Sequence, residues 1–433
     1  GIIQKKIGLA IRLSVKKDKA GAGDVSQFGA LTTALAATLG TGNIVGVGTA
    51  IALGGAGALL WLWMTGIFGI ATKYAEALVA VKYRVKTSDG TMLGGTMYAL
   101  ERGLGMKWLG MLFAVFTMLS SFGIGCTVQA NAVSKLAYEN FGIPPYISGL
   151  VMAAAIAFVI LGGVKSISAA CKMLVPFAAG AYIAGCLVII FINREFLGDA
   201  VILIFHEAFS PHAAGGGFVG AGVMAAARYG VARGLFANEA GLGSASIVAA
   251  AAQTRNPVRQ ALVSASGTFW DTVGVCAATG LALVSTVLAN PDAAAGNGGI
   301  DGAILTSLAF SQIPVIGPAA LTFAIIIFAF GSSIGWSYYG ERGAEYLFGK
   351  AAILPYKTVY VIAAFTGAVM SLSVVWNIAD TLNMLMAVPN LACILLLGGV
   401  IAEETKYYLE GGNIEKIDKE PIPTIARRCK SPA

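Results

Sequence analysis

The chain has 433 residues, 57% of them hydrophobic and only 12% charged, with a mean hydropathy of +0.77. Soluble domains carry roughly a quarter charged residues, so a water-soluble globular protein is excluded. The net charge of +7 is explained by where the cations lie along the chain, and nucleic acid need not be invoked.

Apolar runs long enough to cross the hydrocarbon core as helices recur from end to end, and they are continuous rather than alternating, which excludes a β-barrel. The expected class is an all-α polytopic membrane protein. Six cysteines without a CxxC spacing, most of them inside apolar runs, suggest neither a disulfide framework nor a zinc site. His206 and His212 flank Glu207 in one polar loop, too few ligands for a metal centre.

In chain order, residues 1–28 are basic and amphipathic, without the continuous apolar core of a signal peptide. A helix lying on the inner leaflet is expected there. Ten spans follow at about 29–54, 57–82, 108–133, 146–163, 173–192, 217–250, 261–289, 316–340, 358–375 and 378–403. Of the 29 Lys and Arg residues, 24 fall in the loops of one side and two, Lys135 and Arg194, on the other. Lys73, Arg228 and Arg233 lie within spans. By the positive-inside bias, residue 1 and the C-terminus are cytoplasmic. The expected organisation is a basic segment (1–28), five spans (29–193), an extracellular loop (194–216), five more spans (217–405) and a cytoplasmic tail (406–433).

Span one contains ATLGTGNIVGVGTA, residues 37–50. A dinucleotide loop would need a preceding strand and an acid about twenty residues on, and neither is present. Gly42 and Gly46 could form a small-xxx-small packing face. The sharper expectation is a discontinuous helix, because unwound backbone at membrane depth must line a cavity holding something polar. Carbonyls near Thr41, Gly42 and Asn43 would meet a cation, and N–H groups near Gly46, Val47 and Gly48 an anion, which suits a zwitterion.

Span three offers Gln129 as a lone amide facing a substrate or tying two helices together. Span six carries a second interruption, RYGVARGLFANEAGLGS at 228–244, with Asn238, Glu239, Gly241 and Gly243. Spans one and six each open a set of five, and an odd number of spans inverts orientation. Paired Gly-rich interruptions at matching positions point to a transporter's binding site. Among the intramembrane acids, Glu76 has Lys73 three residues earlier as a pairing partner, Asp380 reaches the interface, and Glu239 has Arg228 or Arg233 within reach. Asp271, in GTFWDTVG, has no neighbouring cation and is the best candidate for a cation-linked role. In span eight, Ser332 and Ser333 either bond their own backbone or supply oxygens to sodium.

Together GTGNIVGVG, GGAGALLWLWMTGIFG with KYAEALVAVKYR, GLFANEAGLGSA and FWDT resemble the alanine/glycine:cation symporter family over nearly the whole chain, with a mild departure at Leu60 and Leu62. The family carries a further helix ahead of the basic segment, so eleven spans are expected in a full member. The resemblance implies the five-plus-five inverted-repeat fold of the bacterial leucine transporter, with broken first and sixth core helices, and sodium-driven import of alanine and glycine by alternating access at the cell membrane. It implies a sodium site from the carbonyls of Gly42, Val45 and Ala329 with the hydroxyls of Ser332 and Ser333. It places a possible second cation at Ile44, Thr49 and Asp271, and Phe236, Gln129 and Asn238 beside the substrate. Proton coupling through Asp271 or Glu239 is the nearest rival. An ion channel or substrate sensor is the rival from another class, and an enzyme is not expected because no histidine lies in a span.

Overall fold

The computed structural model describes residues 2–16, 20–209, 222–291 and 302–425. His212, the first residues expected in span six and both chain ends lie outside the described residues.

Each apolar run becomes a helix or a helix pair. Ala58–Lys82, Lys107–Tyr138, Gly163–Ile192, Pro257–Ala289, Ile316–Phe348 and Lys350–Val369 are long and apolar enough to cross a membrane, and they are spans two, three, five, seven, eight and nine. Span four is the shorter helix Pro145–Ile160. Span one is Gln27–Thr38 followed by Val45–Gly54, and span six is Val223–Asn238 followed by Ser244–Ala250. Span ten bends by 57° between Asp380–Leu396 and Gly398–Glu410, at a Gly-Gly pair of the kind that releases a helix from its axis.

Lipid gives no hydrophobic force between helices, so close approach rests on small residues. Span six lies on span two through Gly230 and Gly234. A Cβ at Gly230 would sit 2.2 Å from the Ala58 carbonyl oxygen, and one at Gly234 2.2 Å from Thr65 Oγ1. Span eight meets span one in the same way, with Gly335 against Ala37. The alternative of a packing face at Gly42 and Gly46 does not hold. A Cβ at Gly46 would meet nothing nearer than 3.9 Å, because the chain unwinds between the two glycines. Phe158, Leu161, Met173 and Phe177 of spans four and five point outward as a lipid-facing shell, whereas spans one, two, seven and eight bury most of their length.

Two loops contain helices that periodicity alone left unassigned. Leu197–Glu207 lies in the 194–216 loop, where Glu207 Oε2 accepts the Ala56 N–H at 2.8 Å. Gly302–Ser311 packs on the second half of span one, where Gly302 and Gly48 allow backbone contact. The basic face is tied together by short pairings. Val25–Ser26 runs parallel to Ala252–Gln253, and Thr424–Ile425 pairs with a strand of the hairpin formed by Val85–Thr87 and Met92–Leu93. The amphipathic N-terminal segment is helical at Ile7–Val15, with Ala10 and Leu13 buried and the helix packed on span seven.

Candidate substrate and ion site between the two interruptions

The break in span one is held by its own side chains. Asn43 Oδ1 accepts the Gly40 N–H at 3.1 Å, closing a single turn over Thr41–Asn43 before the second half-helix starts at Val45. The N–H groups of Val45, Gly46 and Val47 open that half-helix, where the first turn has no carbonyl behind it. Gly48 lies one step too far: its N–H already bonds the Ile44 carbonyl at 3.2 Å, and its Cα faces Gly302. In span six the helix is interrupted through three left-handed residues, Glu239 (φ 53), Gly241 (φ 100) and Gly243 (φ 74). A glutamate in that region is uncommon, and the contacts of its side chain hold it there.

One polar chain joins the two breaks. Asn43 Nδ2 donates to Asp271 Oδ1 at 2.7 Å, and Thr272 Oγ1 donates to Asp271 Oδ2 at 3.0 Å. Asn238 Nδ2 reaches the hydroxyls of Thr272 and Thr65, both at 3.2 Å, while Asn238 Oδ1 accepts the Ala240 N–H. Asp271 is therefore the buried bridge between span one and span six. It sits in a π-helical turn, Phe269–Cys276, and a second such turn, Ser121–Thr127, precedes Gln129 in span three. Extra residues inserted into a helical turn re-aim side chains, and such turns gather at functional sites.

Thr41, Gln129 and Phe236 close the same space. The Thr41 N–H points to Gln129 Oε1 at 3.5 Å, Gln129 Nε2 donates to the Ile124 carbonyl, and a Cβ at Gly42 would meet the Phe236 ring at 2.9 Å. The buried Thr41 hydroxyl has no hydrogen-bond partner among the described residues.

The span-eight serines are more divided. Ser332 Oγ donates across to the Ala37 carbonyl at 2.7 Å, so it touches span one a turn before the break. Ser333 Oγ returns to the Ala329 carbonyl at 2.9 Å, the backbone-bonding alternative, and the Ser333 carbonyl accepts from Tyr360. The Val45 carbonyl accepts from Thr49 Oγ1 at 2.8 Å. Thr49 and the Ile44 carbonyl face helix Gly302–Ser311, through Gly302 and Thr306, whereas Asp271 bonds Asn43. The residues expected at a second cation are thus divided between two sides of the half-helix.

Two ion pairs that the sequence allows do not form. Lys73 does not bond Glu76: its ammonium donates to the main-chain carbonyl of Glu239 at 3.1 Å. Glu76 instead accepts the N–H groups of Gly241 and Gly243 on its Oε1, because free amides at a helix start need an acceptor. Glu239 pairs with neither arginine. Its oxygens accept from Ser244 Oγ (2.6 Å) and Trp336 Nε1 (2.8 Å), and Arg233 faces the half-exposed Asp380 at 3.6 Å. Asn390 of span ten, bonded to Glu76 and to the Gly241 carbonyl, was not singled out from sequence.

A family model described as the sodium:alanine symporter family matches residues 1–421. The sodium/alanine symporter AgcS of Methanococcus maripaludis is 49% identical over 406 residues, covering 93% of this chain and 88% of that protein. An uncharacterized transporter of Haemophilus influenzae is 48% identical over 427 residues, covering 98% and 92%. Among solved structures, MhsT in complex with L-phenylalanine superposes with a TM-score of 0.62 at 16% identity, covering 87% of this chain and 89% of that one. A Na+-coupled sialic acid symporter gives a TM-score of 0.53 at 13% identity, covering 94% and 85%. At those identities the likeness establishes the five-plus-five inverted-repeat fold, and the family match establishes a transporter rather than an enzyme. This chain belongs to the sodium:alanine symporter family.

Proposed function

We propose that the chain is a sodium-coupled symporter that imports small neutral amino acids, alanine and glycine foremost, across the cell membrane by alternating access, with its basic face cytoplasmic. The observation that carries this reading is the Asn43–Asp271–Thr272–Asn238 chain, which makes the two interruptions one polar site. A zwitterion fits it: the carboxylate meets the open N–H groups of Val45, Gly46 and Val47, and the ammonium meets carbonyls near Thr41, Gly42 and Phe236. Phe236 lying on Gly42 favours a small side chain.

Sodium, the co-transported cargo, wants several oxygen ligands. The donor set fits. Asp271 would supply charge, the Thr41 hydroxyl, which has no partner among the described residues, would supply an oxygen at the break, and Gly42, Val45, Ala329, Ser332 and Ser333 would complete the set between spans one and eight. Ser332 and Ser333 now give their protons to carbonyls, which leaves each hydroxyl's lone pairs for an ion. Binding there would draw the first half of span one onto span eight.

Coupling requires that sodium raise alanine affinity and that alanine raise sodium affinity by the same factor. Alanine binding to purified protein, titrated in sodium and again in potassium at fixed pH, tests this. Tighter binding in sodium is expected. Equal affinity in the two salts would remove sodium coupling and return the assignment to proton coupling through Asp271.

A further inference from the structure

Behind the span-six break lies a second ionic centre that the substrate site does not use. Lys73 and Glu76 of span two and Glu239 of span six are all buried. One ammonium faces two carboxyl groups, so if both are ionised the cluster carries one uncompensated negative charge at membrane depth, which is strongly unfavourable.

The hydrogen bonds distinguish the two acids. Glu239 has a donor on each oxygen, Ser244 on Oε2 and Trp336 on Oε1, and Lys73 sits on its main-chain carbonyl. That is the environment of a carboxylate with its counter-ion. Glu76 takes three donors on one oxygen: Gly241 N at 2.7 Å, Asn390 Nδ2 at 2.8 Å and Gly243 N at 3.2 Å, all to Oε1. Its Oε2 is buried and has no partner among the described residues. A bare carboxylate oxygen there would be the costliest atom in the cluster.

The geometry points to Glu76 as a proton-binding site of the transport cycle: Oε2 carries a proton in this conformation, and exchanges it when the span-six break rearranges. A proton from water adds to Oε2, the Glu76 charge goes from −1 to 0, and Lys73 then balances Glu239 alone. The other groups facing the pair fit this count. The Cys393 thiol of span ten faces Glu76, the Tyr339 hydroxyl of span eight faces Glu239, and Asp271 of span seven lies beyond Glu239. None of them adds a positive charge.

The site is linked to transport because Glu76 Oε1 holds the amides that lead into the second half of span six. An ionised Glu76 grips those amides more strongly than a neutral one. Losing the proton therefore stiffens the break, and gaining it frees the break to move. This deepens the symport reading and rests on it for the role in the cycle, but the proton itself can be read without transport.

The test has two parts. In infrared spectra of the purified protein, the carbonyl stretch of a neutral carboxylic acid is expected in the wild type and lost in Glu76→Gln. If Glu76→Gln does not fold, Glu76→Asp should shift that band. Absence of the band in the wild type, or a band unmoved by substitution at Glu76, overturns the site. In proteoliposomes, sodium-driven alanine uptake should fall by about tenfold per pH unit on the alkaline side, as for one ionisation, and Glu76→Gln should flatten that limb. A variant with the wild-type pH profile overturns the role in the cycle. If the wild type takes up no alanine in sodium, the symport reading fails, and the infrared band still decides whether Glu76 holds a proton.

Discussion

Asp271 and Asn43 lie 228 residues apart in the chain and 2.7 Å apart in the fold. The sequence marks Asp271 because no cation lies near it, but no local spacing can reveal an amide partner on another span. The same limit hid Asn390, a single polar residue in an apolar run. It also produced the mistaken Lys73–Glu76 pair: helical spacing brings two side chains within reach, and the open amides of the span-six break take the Glu76 Oε1 instead. Two predictions belong at this scale. Asp271→Asn removes the charge while keeping the shape, and is expected to raise the sodium concentration for half-maximal alanine uptake by about tenfold, or about 1.4 kcal/mol of lost ion binding. A sodium titration of uptake checks this, and an unchanged midpoint would take Asp271 out of the ion site. Thr41→Val deletes a hydroxyl without a partner among the described residues, so thermal stability should hold. Alanine or sodium affinity should weaken several-fold, about 1 kcal/mol for one hydrogen bond. Unaltered affinity for both would mean that the hydroxyl faces neither cargo.

The interrupted spans were legible as elements because glycines clustered with polar residues at membrane depth are tolerated where backbone unwinds around a polar cavity. Both breaks fall where GTGN–GVG and NEAGLG predict. The π-helical turns at Ser121–Thr127 and Phe269–Cys276 were not legible, since an inserted residue leaves composition and periodicity almost unchanged. Helix packing through glycine gives a sharp contrast. Gly230→Ala should lower stability by about 1–3 kcal/mol, the range for overpacking, because its Cβ meets backbone at 2.2 Å. Gly180→Ala, with nothing within 4 Å of its Cβ, should leave the melting temperature level or raise it. Equal effects of the two would contradict the span-two to span-six contact. The tail strap at the basic face is sensitive to acid. Hydrogen bonds from Lys16 and then Arg259 hold the Glu415 carboxyl below its ordinary range. A depressed folded pKa means that this contribution is present above the unfolded value and is lost as pH falls through the folded one. Hydrogen exchange at residues 411–420 is therefore expected to rise on acidification below about pH 4, and an exchange rate that rises no faster than the intrinsic acid–base trend would contradict the strap.

For the whole molecule, charge bias and apolar runs gave ten spans in two sets of five, and the inverted-repeat architecture follows them closely. What composition could not supply is which helices form the inner bundle and what lies over the ends away from the basic face, as with Leu197–Glu207 and Gly302–Ser311, whose short apolar faces resemble ordinary loop content. Symport makes one demand of the molecule: energy stored in a sodium gradient must move an amino acid through the site that joins the two breaks. The direct test is radiolabelled alanine uptake into proteoliposomes, with an inward sodium gradient set against an equal potassium gradient at clamped pH. Accumulation above the equilibrium level in sodium alone, reduced in Asp271→Asn, is the predicted result. Accumulation that ignores sodium and follows an imposed pH gradient, or none under any gradient, would contradict it.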